Sequence, residues 1–164
     1  MKAKAILICS ISAALLSAAH ALTIDTVTVG NPGNPNDPSD GDSGTPGVQN
    51  YGGVSYTYNI GKYEVTLNQY REFLAAVAVT DTYGLYNASM GTDLNSRGIT
   101  QTGSPGSYAY AVIGDGNRPV TYVSWYDAAR FSNWLSNGQP TGLQTVGTTE
   151  TGSYTLTGNT GLIS

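Results

Sequence analysis

Hydrophobic positions along the chain fall into two helical stripes joined by short alternating runs. In the first stripe Leu67, Tyr70, Phe73, Leu74 and Val77 recur every three or four residues, so they share one face of a helix. Thr66-Leu67-Asn68-Gln69 stands at its start with the S/T-x-x-E/Q pattern, in which hydroxyl and amide each engage a backbone N–H group. The helix should end near Val79-Thr80, where β-branched residues gather. The second stripe is Ala128, Phe131, Trp134 and Leu135. Ser124 precedes it as the expected N-cap, and Asp127 sits three residues on, where a carboxylate favours the helix dipole. Asn137-Gly138 is a stop signal with Pro140 just beyond.

Strand patterns are shorter. Thr23 to Val29 alternates and reads as a first strand. Val54 to Ile60 alternates strictly, which places Val54, Tyr56, Tyr58 and Ile60 on one face, and Lys62 to Val65 continues extended after Gly61. Tyr108 to Val112 reads as another strand. Val120, Tyr122 and Val123 read as a strand feeding the second helix, and Ser153 to Thr157 as a weak one. Asn31 to Gly47 is rich in Gly, Pro, Asn and Asp and must be loop. Asp81 to Ser107 has no clear period, and runs that long inside a domain are functional or unstructured. Gly114 to Asn117 and Gly158 to Gly161 are turn chemistry. The pattern predicts one α+β domain with two helices, short strands and long loops, and Tyr70, Phe73, Leu74, Trp125, Phe131 and Trp134 in its core.

The first 21 residues stand apart. Lys2 and Lys4 form a basic start, Ile6 to Leu16 is largely apolar, and Ala19-His20-Ala21 offers small residues at both cleavage-defining positions. This predicts a signal peptide over 1–21, cleaved after Ala21, and a domain over 22–164. The apolar run is short of the ~20 residues a membrane span needs. The product is therefore expected to be secreted, periplasmic or at the cell surface, with no membrane attachment after cleavage.

Processing changes the available chemistry. The chain has one Cys and one His, and both Cys9 and His20 leave with the leader. Ser-His-Asp and Cys-His machinery, and zinc sites of the Cys/His kind, are then excluded. No disulfide framework is available despite export. Lys62, Arg71, Arg97, Arg118 and Arg130 remain against 11 acidic residues, a balance that excludes nucleic acid and anionic membrane as partners. Carboxylates, Ser, Thr, Asn and 12 Tyr remain, which suit sugar binding, calcium binding or plain structure. Asp37, Asp40 and Asp42 are the candidate calcium ligands, as hard oxygens in a Gly-containing loop. Their spacing is not that of an EF-hand, and a solvated acidic loop is the weightier reading. Asn87-Ala88-Ser89 has the glycosylation sequon form. Ser124 and Asp127 read as caps, while Glu64 and Arg118 either pair or line a groove.

Two blocks carry a family resemblance. Asn117 to Trp134 contains PV-x-x-VSW-x-DA-x-x-F-x-x-W, and Ile60 to Leu74 reads IGKYEVTLNQYREFL. Both resemble the formylglycine-generating enzyme / sulfatase-modifying factor family. The start Thr26 to Asn34 resembles it more weakly, and Asn68 stands one place after the family's usual Asn. The phrases YNIGKYEVT, LYNASMG and NGQPTG are similar to those of secreted bacterial members. The resemblance implies a C-type-lectin-like fold, best matched over 54–138. It also implies that the chain is an N-terminal part of such a domain, since the family's R-L-P-[TS]-E-x-E-W block does not follow. The segment after Gly138 is then expected to be loosely held.

The founding activity of that family oxidises a sulfatase Cys to formylglycine with oxygen and a copper ion held by two Cys. Those Cys lie in a C-terminal half that is not matched here, and Ser132 stands where many members have a Cys. No catalytic residue carries over, so copper is expected only in catalytic members. The leading expectation is a secreted, non-catalytic binding or structural module, or a fragment, with protein or glycan as partner. Two alternatives stay open: the front half of a formylglycine-generating oxidase, and a calcium-dependent glycan-binding or adhesion module.

Overall fold

A computed structural model describes residues 21–36 and 52–161. The elements run β1 (Thr26–Val29), β2 (Tyr58–Gly61), α1 (Leu67–Val77), α2 (Ser89–Thr92), β3 (Ile99–Thr102), β4 (Ala109–Val112), α3 (Trp125–Ser136) and a π-helical turn (Val146–Glu150). The architecture is α+β, with two separate antiparallel ribbons. β1 pairs β2 with Thr26 opposite Gly61 and Val29 opposite Tyr58. β3 pairs β4 with Ile99 opposite Val112 and Thr102 opposite Ala109.

The core lies where α1 meets α3. Leu67, Tyr70, Phe73, Leu74 and Val77 are all buried, as their spacing requires. Phe73 meets Phe131 edge to face at 5.4 Å, and lies 5.3 Å from Trp134. Such contacts add about 0.5–1.5 kcal/mol each beyond burial itself. Tyr70 carries the one hydroxyl of this aromatic group, and donates it to the Leu85 carbonyl at 2.9 Å. Burial pushes the Tyr70 phenol well above its ordinary range.

The start of α1 is fully accounted for. Leu67 N–H donates to Arg118 O at 2.9 Å, and Asn68 N–H to Gly116 O at 3.0 Å. Gln69 N–H donates to Thr66 Oγ1, and the Gln69 side chain accepts from Thr66 N–H, closing the capping box. Val120 N–H donates to Val65 O, and Thr66 bridges Pro119. Gly116 has no room for a Cβ, because the Asn68 side chain occupies that space. The end of α3 is a Schellman turn: Gly138 N–H donates to Leu135 O and Gln139 N–H to Trp134 O, with Gly138 at φ 81°.

Several expectations are corrected. Val120, Tyr122 and Val123 form no strand, only the bridge at Pro119, because Tyr122 turns left-handed at φ 61°. The alternating run at Val54 to Ile60 buries no face among the described residues; Tyr56, Tyr58 and Ile60 are exposed. Asp81 to Ser107 is organised rather than irregular. Asp81 accepts from Leu85 N–H and Tyr86 N–H, a third helical turn (α2) forms, and β3 follows. Ser153 to Thr157 makes no strand.

The segment after Gly138 is tied down by polar bonds. Arg130 is wholly buried, and its Nε and Nη2 donate to the two Glu150 carboxylate oxygens at 2.7 and 3.0 Å. Nη2 also reaches Asn159 O, while Nη1 finds no acceptor among the described residues. The guanidinium lies over the Tyr83 ring at 4.4 Å, a cation–π contact. Asn133 Nδ2 donates to Thr149 O and Tyr154 O, and Asn137 Nδ2 to Thr148 O and Thr151 O. Glu150→Ala should therefore lower stability by roughly 3–5 kcal/mol in urea unfolding, because it strands a buried cation. The paired change Arg130→Met with Glu150→Leu should recover much of that loss.

Candidate functional site

The N-terminus of α3 carries the side chains with the most unusual placement. Ser124 caps the helix in a closed box: its Oγ accepts from Asp127 N–H at 3.2 Å, and its N–H and Oγ–H both donate to Asp127 Oδ2. Both residues are caps, as their spacing predicts. Burial raises the Asp127 carboxyl above its ordinary value, partly opposed by the Ser124 bonds and Arg130.

Trp125 is the first residue of that helix, and it is half exposed rather than in the core. Its ring lies outside the core, whereas Phe131 and Trp134, further along, pack against Phe73 of α1. The Trp125 ring stands edge to face against Tyr126 at 5.1 Å and Tyr154 at 5.5 Å. Tyr154 arrives from the far end of the chain because its N–H donates to Asn133 Oδ1 at 2.8 Å.

Tyr122, three residues ahead of Trp125, is also exposed. Its hydroxyl donates to Asp93 Oδ2 at 2.7 Å. Asp93 Oδ1 accepts from Asn95 N–H, Ser96 N–H and Ser96 Oγ–H. The Tyr122 bond, followed by those from Asn95 and Ser96, lowers the Asp93 carboxyl to about 2. The neighbouring Leu94 side chain is left in solvent. Trp125, Tyr126 and Tyr154 form an aromatic cluster at the start of α3, and the exposed Trp125 ring is suited to stacking against a flat, weakly polar ligand.

The other candidates fall elsewhere. Arg118 does not pair with Glu64; it donates to the carbonyls of Arg97, Ile113 and Asp115, and so fastens the Arg97 loop to the turn after β4. Glu64 is exposed beside a small groove of about 110 Å³ shared with Thr23, Asp25 and Tyr63. Asp37, Asp40 and Asp42 lie outside the described residues, as do Cys9 and His20. Among the described residues no three His, Cys, Asp or Glu side chains gather as a metal site. Those residues include no Cys and no His, so a copper site of two thiolates does not fit them.

Sequence reasoning missed Tyr154 as the partner of Trp125, and Asp93 as the partner of Tyr122. No local signal pointed to these pairs, because their members lie 29 residues apart in the chain. Tyr122→Phe should raise the Asp93 carboxyl from about 2 toward the ordinary 3.8, read by carbon NMR titration of the side chain. The sign follows from the depressed folded value. Asp93 supports the fold above pH 3.8, and that support fades as pH falls toward 2.

Comparison with known proteins adds the lineage. The family model described as "Sulfatase-modifying factor enzyme 1-like domain" matches residues 37–159. No curated protein and no solved structure matches the chain. The matched span contains both sequence blocks, the two principal helices and the aromatic cluster of Trp125, Tyr126 and Tyr154. The chain belongs to the sulfatase-modifying factor family.

Proposed function

We propose that this chain acts outside the cytoplasm as a non-catalytic glycan-binding module of its family, with a C-type-lectin-like arrangement of loops around Trp125. The observation that carries this reading is the exposed Trp125 ring, held edge-on by Tyr126 and Tyr154. A tryptophan on the surface, braced by neighbours, loses little rotamer freedom when a pyranose ring stacks on it. The non-catalytic assignment rests on composition. Once the leader leaves, neither thiol nor imidazole remains among residues 22–164. The same composition supports neutral ligands, because few cations are present to hold an anion.

The chain carries its own reporter. Its two Trp are Trp125, half exposed, and Trp134, buried with its ring N–H on Pro140 O. A glycan that stacks on Trp125 should shift the emission toward the blue and shield it from acrylamide. Screening the processed chain against a neutral glycan panel should find such ligands. Trp125→Ala should weaken their binding by about tenfold or more, the scale of an interfacial Trp anchor. Tyr122→Phe should leave the stacking intact. Binding that survives Trp125→Ala unchanged, or capture of proteins but no glycan on this face, would sink the glycan reading.

A further inference from the structure

We propose that the Ala21–Leu22 bond is the processing junction, and that the freed Leu22 amine stays docked in a groove between α1 and α3, clamped by Gln139. Two independent observations meet at this residue. The first is the small-residue pattern Ala19-His20-Ala21, which directs cleavage after Ala21. The second is how Leu22 itself is held. Gln139 Oε1 accepts from Leu22 N–H at 2.5 Å, and Gln139 Nε2 donates to Leu22 O at 2.7 Å. One side-chain amide thus satisfies both backbone groups of a residue 117 positions away. The arm continues in the same manner, with Gln69 Nε2 donating to Thr23 O and Lys62 N–H to Asp25 O.

Gln139 is unusually well placed for this. It sits in the left-handed region at φ 60°, which a residue with a Cβ adopts only when its surroundings hold it there. The Schellman bond from its N–H to Trp134 O does so. The aim of the amide is thereby tied to the end of α3. The groove measures about 340 Å³ and is walled by Ala75, Ala76 and Trp134. Glu72 is the one charged side chain in its lining.

Cleavage changes the chemistry at the clamp. Water adds to the Ala21 carbonyl carbon, and the C–N bond to Leu22 breaks. Ala21 leaves as a carboxylate, and the Leu22 nitrogen takes up protons to become an ammonium. A signal peptidase is the required catalyst, and water is the only co-reactant. The neutral N–H on Gln139 Oε1 becomes a charge-assisted donor, and the ammonium faces a groove whose only charge is a carboxylate. Export and the locking of the N-terminal arm are then one event.

The full chain, expressed with its leader in an exporting bacterial host, tests both halves. N-terminal sequencing and intact mass of the exported product should give Leu22, and Ala21→Tyr should block processing. A different first residue, or unchanged processing of the variant, overturns the junction. Docking is read separately by amine acylation near pH 7. The processed chain has only one other amine, Lys62, which serves as the internal reference. The Leu22 amine should label about tenfold slower relative to Lys62 in the native product than in the urea-unfolded product, since it reacts only when the arm opens. Gln139→Ala should abolish that protection, while Gln139→Glu, which keeps an acceptor, should retain it. Equal labelling in native and unfolded protein overturns the docking even if the junction stands, and needs no variant to fold.

Discussion

The buried pair of Arg130 and Glu150 is the constraint on which the second half of the molecule depends. Two parallel N–H···O bonds at 2.7 and 3.0 Å join a guanidinium and a carboxylate that water does not reach. Pairs of this geometry are strong once formed, yet each ion costs several kcal/mol to desolvate, so the net gain is small and the penalty for losing one partner is large. The arrangement offsets that cost by spending the remaining valences. Glu150 Oε2 also accepts from Gly158 N–H, Oε1 from Thr149 Oγ1–H, and Arg130 Nη2 donates to Asn159 O. The reason for a polar lock is visible in the segment itself. Between Gln139 and Gly161, Leu143 and Val146 are exposed and Leu156 is the one buried large aliphatic side chain. A stretch with so little apolar surface cannot be held by burial, so it is held by hydrogen bonds to a stripe of polar side chains on α3.

That stripe, Arg130, Asn133 and Asn137, also builds the aromatic surface. Asn133 accepts from Tyr154 N–H and donates to Tyr154 O, which fixes the backbone that carries the Tyr154 ring toward Trp125. Gly152 passes so close to Asn133 that a Cβ there would crowd its side chain and backbone, and its φ of 153° would strain an L residue in any case. Tyr122, ahead of the helix, is fixed by Asp93, whose loop is itself tied to Thr121 through Ser96 O. The aromatic face therefore owes little to the apolar core. It is held by side-chain to backbone bonds around the start and flank of one helix, and it is rigid to the extent that those bonds are satisfied.

Legibility in the sequence follows the same division. The cap and stripe of α1 were readable because they obey local rules, although the helix stops at Val77, two residues short of the expected end. The caps and stop of α3 were readable for the same reason. Its buried face was not, because half of that face is polar. Ala128 is exposed, while Arg130 and Asn133 are buried, so a search for apolar periodicity placed the stripe partly on the wrong side. Trp125 was assigned to the core by its hydrophobicity, although the first position of a helix need not face the layer below. The segment after Gly138 looked loose for want of apolar residues, and the pairing of Arg130 with Glu150 is invisible without the third dimension. The β1–β2 ribbon errs in the opposite direction. Its alternation is real, but alternation promises only that a face exists, not that anything covers it.

The two blocks that carry the family likeness turn out to be one physical object. A helix begins with N–H groups that have no intrahelical acceptor, and α1 satisfies its first two with the carbonyls of Arg118 and Gly116. The block around Ile60 to Leu74 therefore cannot satisfy the start of its own helix without the block at Asn117 and the Gly116 that precedes it. The second block in turn needs Val65 O as the acceptor for Val120 N–H. Tight approach at this seam requires Gly116 beside Asn68, and the bridge at Pro119 falls where a missing N–H costs nothing. Residues engaged in this way specify a scaffold and not a reaction. The likeness accordingly fixes how the chain folds around the α1–α3 core, while any activity must be argued from the side chains that the scaffold leaves in solvent.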